Sequence, residues 1–485
     1  MKSTLLVFFL LCFSSAIAQQ PVYQSFEVDS AADPRGGSPF LNTFLQTNLR
    51  KPVAAEAKGI GGRVIVNAIV EPNGSVSDVK VMNSLRPDCD REAIRVFSLF
   101  KAWKPGFKGG RAVRQQITAT VLFKPNPPFI YNNGARINYY DVDKNPLADS
   151  SDKARYKQIA PLDSNGFANG DIVVYKAKGA NWKEEYRIPF ARQVNKSQDP
   201  SEQPTIMTGY QTNAKSWDGE VIMRSESGSM IYQYVYKNGV PTSTGVHYSS
   251  NGLVSEKREE FEEGLTATSW YDNGQIREIR MNKKTKPTDN PIPSSVIAFW
   301  ASTGQQLVKN GNGRVSNKEY RRSYASLLPK TTVVEEGVYE NGLQQGIWTG
   351  RYEDKSFYYE EQFDKGVFQK GKSCLLGGDT VTYTVLEKTP EFKGGMQALG
   401  SFLAQNLRYP PDAQRSKIEG QVFLSFIINT DGQVVDIDLI KGLGFGTDEE
   451  AIRVLKASSG RWVPGHQRGQ KINVKYNVPI NFTLQ

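Results

Sequence analysis

Residues 394–410 read GGMQALGSFLAQNLRYP, and residues 36–52 read GGSPFLNTFLQTNLRKP. The correspondence runs without a gap from Gly36–Val96 onto Gly394–Val454, with about two dozen identities in roughly sixty positions. Glu92-Ala93-Ile94-Arg95-Val96 meets Glu450-Ala451-Ile452-Arg453-Val454. One inserted residue later, Trp103-Lys104-Pro105-Gly106 meets Trp462-Val463-Pro464-Gly465. One domain type therefore stands at both ends of the chain.

The C-terminal copy can be read element by element. Met396, Leu399, Phe402, Leu403 and Leu407 recur at helical spacing, and Tyr409-Pro410-Pro411 stops that helix, because a residue before proline resists the α region. A short helix is expected over Asp412 to Ser416. Gln421 to Ile428 is rich in strand formers and Asp431-Gly432 signals a hairpin. Val435, Ile437 and Leu439 alternate with Asp436 and Asp438 in the returning strand. Thr447 is expected to cap a helix running to about Ala457, with Glu450 closing a capping box. The acidic run Asp448 to Glu450 then favours the positive end of that helix and needs no catalytic role.

The last strand carries the sharpest pattern. Ile472, Val474, Tyr476, Val478, Ile480, Phe482 and Leu484 alternate with Asn473, Lys475, Asn477, Pro479, Asn481 and Thr483, giving one apolar and one wet face. Pro479 has no amide hydrogen and suits a sheet edge, where unpaired backbone groups either take up another extended segment or are kept safe by proline and lysine.

Gly394-Gly395, Asn406-Leu407-x-Tyr409-Pro410, Gly420-x-Val422, Asp431-Gly432, Glu450-Ala451, Trp462-x-Pro464-Gly465 and Pro479-Ile480-Asn481-Phe482 together resemble the TonB C-terminal domain over about Leu386 to Gln485. The resemblance implies a small α+β periplasmic unit, non-enzymatic and without cofactor or metal. Its last strand would accept the short "TonB box" of outer-membrane TonB-dependent receptors. Carried onto this sequence, the partner-binding residues become Tyr409, Pro410, Ile472, Val474, Tyr476, Val478, Pro479, Ile480 and Phe482. The copy over residues 34–124 is diverged: Lys51 replaces Tyr409, Cys89 replaces Thr447, and Gln115 interrupts the apolar face of the final strand. Its expected role is structural or self-associating.

Residues 125–375 start with the breakers Pro125-Asn126-Pro127-Pro128 and carry Tyr236-Lys237-Asn238-Gly239, Asn251-Gly252, Trp270-Tyr271-Asp272-Asn273-Gly274, Tyr339-Glu340-Asn341-Gly342 and Phe363-Asp364-Lys365-Gly366. Asn-Gly between aromatics favours type I′ hairpins, and the theme, clearest over residues 230–370, resembles MORN-variant repeats. The expected organisation is a signal peptide (1–18), a linker (19–33), the diverged copy (34–124), a β-hairpin region (125–375) and the C-terminal domain (386–485). The fold class is α+β: two small domains of antiparallel sheet on helices, flanking hairpins.

Composition narrows the function further. With 60 Lys and Arg against 50 Asp and Glu over 485 residues, the charge is +10 but spread along the chain, so nucleic acid is not expected as a partner. Only His247 and His466 are present, too few for a His-based metal site or a catalytic triad, and Cys89 and Cys374 allow at most one bridge beyond the leader. Lys2, the apolar run Leu5 to Phe13 and the small residues ending at Ala18 read as a cleaved secretory signal, hence a periplasmic protein. The alternative is an uncleaved inner-membrane anchor, and only then would inner-membrane motor proteins be partners. The leading expectation is a TonB-like binding protein acting by β-strand addition, in energy-coupled transmembrane transport where a motor is engaged. The alternative is an envelope scaffold whose repeats bind protein or glycan, with homo-oligomers left open.

Overall fold

The structure, a computed structural model, describes residues 21–195, 203–212, 215–283, 294–324 and 330–484. The expected signal peptide lies outside the described residues. The chain divides into two compact units, residues 1–290 with 299–306 and residues 291–298 with 307–485, and each holds one copy of the repeated domain.

In the first unit the helices Ser38–Asn48 and Pro87–Ser98 pack on a sheet whose strand Gly62–Val70 lies between Val76–Asn83 and Arg111–Phe123. Leu41, Phe44, Leu45 and Asn48 fall on one helical face and are buried there. In the second unit the helices Gly395–Asn406 and Thr447–Lys456 pack on Gly420–Ile428, flanked by Val434–Lys441 and Val474–Phe482. Phe426 and Phe482 are fully buried in this core, each contributing about 1.5–3 kcal/mol by leaving water. Register agrees between the copies: Ile65 faces Asn83 and Val66 faces Val81, as Phe423 faces Lys441 and Leu424 faces Leu439.

Three local expectations are corrected. Met396, in the first helical turn, is exposed rather than packed. The returning strand does not bury Val435 and Leu439. Asp436 adopts φ 49°, a bulge that puts an extra residue opposite the central strand, so Val434 turns inward while Val435 and Leu439 face solvent. Asp78 repeats the bulge, with φ 49°, in the first unit. Thr447 is not the cap: Gly446 precedes the helix in a left-handed conformation, and the Thr447 hydroxyl donates to the Gly444 carbonyl at 2.6 Å. The Asp448 carboxylate instead takes the Leu443 N–H at 2.8 Å, and Glu450 reaches back 42 residues to the N–H of Arg408.

The middle of each unit is a succession of antiparallel hairpins, over 190–283 in the first and 306–383 in the second. Residues 130–188 form a separate six-stranded sheet with the short strand Pro146–Leu147. Asn238-Gly239, Asn341-Gly342 and Lys365-Gly366 each make a two-residue turn with both φ values positive, the type I′ geometry. The Asn251-Gly252 and Asn273-Gly274 sites differ from that expectation, because each sits in a longer loop, closed by Ser249 N–H to Leu253 and Tyr271 N–H to Gln275.

Those longer loops seat the N-terminal copy within the first unit. The Val254 N–H donates to Asn48 Oδ1 at 2.9 Å, and the Lys101 N–H to the Asn273 carbonyl at 2.9 Å. Gly274, with φ 86°, lies so near Phe44 that an added Cβ would be 2.7 Å from its ring. The C-terminal copy is seated differently, within the second unit, through the hairpin tip at Arg468. Its guanidinium lies 3.8 Å from the Tyr359 ring centroid and donates to the buried Glu361 at 2.7 Å, while its carbonyl accepts the Ser373 hydroxyl at 2.7 Å.

Candidate functional site

The final strand Val474–Phe482 pairs along its whole length with Gly420–Ile428, and its other flank meets no strand among the described residues. Val478, Ile480 and Phe482 point into the core, at 6%, 1% and 1% exposure, so their side chains are withheld from a partner. Tyr476 packs half-buried against Phe426 and Trp462, at ring-centroid distances of 5.9 and 5.6 Å. The exposed face carries Lys475, Asn477, Pro479 and Asn481.

Pro479 fixes which backbone groups are free. It stands opposite Phe423, and having no N–H it cannot donate across, so this is a non-hydrogen-bonded pair. Alternation then turns the amides of Val474, Tyr476, Val478, Ile480 and Phe482 toward the central strand. The open flank is left with the amides of Lys475, Asn477 and Asn481. Sequence reasoning missed these three, although the phase of Pro479 in the alternating run carries the signal.

Tyr409 joins this strand at its far end: its ring meets Phe482 edge-on at 5.7 Å and its hydroxyl donates to the Ile418 carbonyl. Burial, with the Glu419 carboxylate nearby, pushes its phenol up. Pro410 is half-buried against the loop before the helix, where an added Cβ on Gly446 would stand 3.2 Å away. Ile472, expected in the final strand, falls outside it: it belongs to the separate short strand Gln470–Ile472 and pairs with Gly465. Leu484 also lies beyond it, its N–H donating to Glu419 at 2.7 Å. The strand Val474–Phe482 is thus joined by Tyr409, whereas Pro410 lies against the Gly446 loop. Among the described residues no group of three or more His, Cys, Asp or Glu could hold a metal ion.

The family model for the Gram-negative bacterial TonB protein C-terminal matches this chain twice, at residues 48–125 and 405–484. A solution structure of the Helicobacter pylori TonB C-terminal domain, residues 194–285, is similar at 28% identity, over 18% of this chain and 91% of that one, with a TM-score of 0.16. No curated protein matches the chain. The hairpin region lies outside both family matches.

Proposed function

Taking as premise that this chain carries two TonB C-terminal regions, we propose that it is a periplasmic, TonB-like binding protein that contacts outer-membrane TonB-dependent receptors by strand addition. The observation that supports this reading is the final strand, open along one flank, with Tyr409 packed at its end. A receptor segment would gain the N–H and C=O groups of Lys475, Asn477 and Asn481, while the buried alternate residues hold the strand rigid. Energy-coupled transport through such receptors follows where the leader stays as an anchor and meets an inner-membrane motor. Among the described residues no helix is long and apolar enough to cross a membrane.

The test is photo-crosslinking in intact cells from a reactive amino acid placed at Asn481, followed by mass spectrometry. Adducts with outer-membrane receptors are expected, and Asn477→Pro, which removes one outward amide and no inward one, should abolish them. Equal adducts from the proline variant, or none to any receptor, would contradict the proposal.

A second reading keeps the chain as an envelope scaffold. In the second unit a cleft of about 710 Å³ is lined by Arg322, Tyr324, Tyr352, Lys471 and Asn473, a mix of cations and aromatics that suits an anionic glycan. Retention on isolated cell-wall sacculi, lost in Lys471→Glu, would favour it.

A further inference from the structure

The N-terminal copy has the same final strand, Arg111–Phe123, but here a short strand sits on the start of its outer flank. Val22 and Tyr23 pair with it in parallel, opposite Arg114 and Gln115. Gly62 facing Phe123 and Gly420 facing Phe482 make Gln115 the counterpart of Val474, so the added strand lies beside the start of the flank that stays open in the other copy.

Side chains hold the added segment in place. Gln24 Nε2 donates to Gln116 Oε1 at 3.2 Å, and the Lys108 ammonium lies 4.3 Å from the centroid of the Tyr23 ring. The Ala32 N–H donates to Gln115 Oε1 at 2.6 Å, and Gln115 is only 1% exposed. The polar residue that interrupts the apolar pattern of this strand thus serves the incoming segment. Residues expected from sequence to be a linker are, over their described part, built into the domain: Asp29 and Ser30 donate to the Phe107 carbonyl, and Asp33 and Pro34 pair with Lys104 and Trp103.

The C-terminal copy shows what frees the edge. At the offset that aligns Asp33-Pro34 with Glu391-Phe392, the counterparts of Val22 and Tyr23 are Thr380 and Val381. Those two residues pair instead with Cys374 and Ser373 of the neighbouring hairpin strand. The same stretch of the repeat lies on the domain's own edge in one copy and on the hairpin sheet in the other. A second contact follows the pattern. Lys51, in the place of Tyr409, donates to the Lys124 carbonyl at 2.8 Å and to the Asn126 side chain, so the chain itself covers that end of the strand too.

We infer that residues 22–23 are an intrachain ligand strand: they occupy the start of the outer flank of the N-terminal copy's final strand, at Arg114–Gln115, in cis and withhold that stretch from external partners. In the C-terminal copy the equivalent segment is drawn into the hairpins, and among the described residues no strand covers the corresponding stretch. The N-terminal edge is thereby a strand-binding site whose fitting partner is a short parallel segment with the chemistry of residues 21–31. This rests on the observed pairing and stands whether or not the C-terminal copy binds a receptor.

The test compares the full chain with two variants, Tyr23→Pro, which removes a donor from the added strand, and a deletion of residues 21–27. The probe is a labelled synthetic peptide of residues 21–31, titrated by fluorescence anisotropy, with amide exchange followed at Arg114–Gln116. The full chain should not bind the peptide. Both folded variants should bind it saturably, exchange at Arg114–Gln116 at least tenfold faster without it, and regain protection with it. Equal uptake by the full chain, unchanged protection in the variants, or failure of both folded variants to bind would each overturn the inference.

Discussion

The Glu450 carboxylate accepts the backbone N–H of Arg408 at 2.5 Å, and in the other copy Glu92 accepts that of Arg50 at the same 2.5 Å. Each acid also binds an arginine one turn on, Arg453 at 2.7 Å and Arg95 at 2.6 Å, and those arginines donate to the carbonyls of Asn406 and Asn48. The pair of residues clamps the end of the first helix to the second. Its repetition in both copies makes it part of the domain's architecture rather than of any catalytic site.

The clamp should show in acid. The Arg453 guanidinium first, and then the Arg408 N–H, hold the Glu450 carboxyl below the ordinary carboxylate value of 4.5. A value depressed on folding stabilises fully above the unfolded value, and the contribution is lost as pH falls through the folded one. Glu450→Gln should therefore cost about 1.5–3 kcal/mol at pH 7, the range for a charged hydrogen bond, and flatten the acid limb of stability. Urea midpoints from pH 7 down to pH 3 check this.

Asn48 and Asn406 occupy the same place in the repeat but carry different loads. Asn48 is buried and satisfies the Val254 N–H as well as its own helix, whereas Asn406 is exposed and donates only to the Phe402 carbonyl. Asn48→Ala should destabilise the first unit by about 1–3 kcal/mol through the orphaned N–H, and Asn406→Ala by well under half of that. Thermal melts of the two variants make the comparison.

Arg468 is the pin that seats the C-terminal copy. Removing it in Arg468→Ala leaves Glu361, 4% exposed, as a buried carboxylate with only the Tyr383 hydroxyl at 2.9 Å. The expected loss is about 3–5 kcal/mol, as for breaking a buried pair. The double variant Arg468→Met with Glu361→Gln should recover much of it, measured by denaturant unfolding.

The two described cysteines are free thiols, and they should react at different rates. Burial, with Asp88 adjacent, pushes the Cys89 thiol up to about 11, and the side chain is 0% exposed. Cys374 is partly exposed. In native protein at pH 8 an aromatic disulfide reagent should label Cys374 and leave Cys89 until denaturant is added, with peptide mapping identifying the site.

Much of this fold is written locally. Asn238-Gly239 and Asn341-Gly342 announce their turns because positive φ at two successive positions admits few residues, and the alternation around Pro479 locates the final strand within two residues of its ends. What escaped reading depends on distance or on competition. Glu450 looks like a capping residue because its true partner is 42 residues away. The bulge at Asp436 inverts an apolar alternation that sequence alone continues straight through, although the aligned Asp78 marks the place in both copies. Val22-Tyr23 is too short to show a period, and its counterpart Thr380-Val381 joins a different sheet, so no local pattern could give its destination.

The central claim is that the open flank of Val474–Phe482 accepts a strand. The most direct measurement is residue-resolved amide exchange in the full chain during titration with peptides from the N-termini of the cell's own outer-membrane receptors. Saturable binding with new protection at Lys475, Asn477 and Asn481, while Val478 and Ile480 stay as protected as before, is the predicted result. Saturable binding that leaves those three amides unchanged, or no binding by the folded chain, would contradict it.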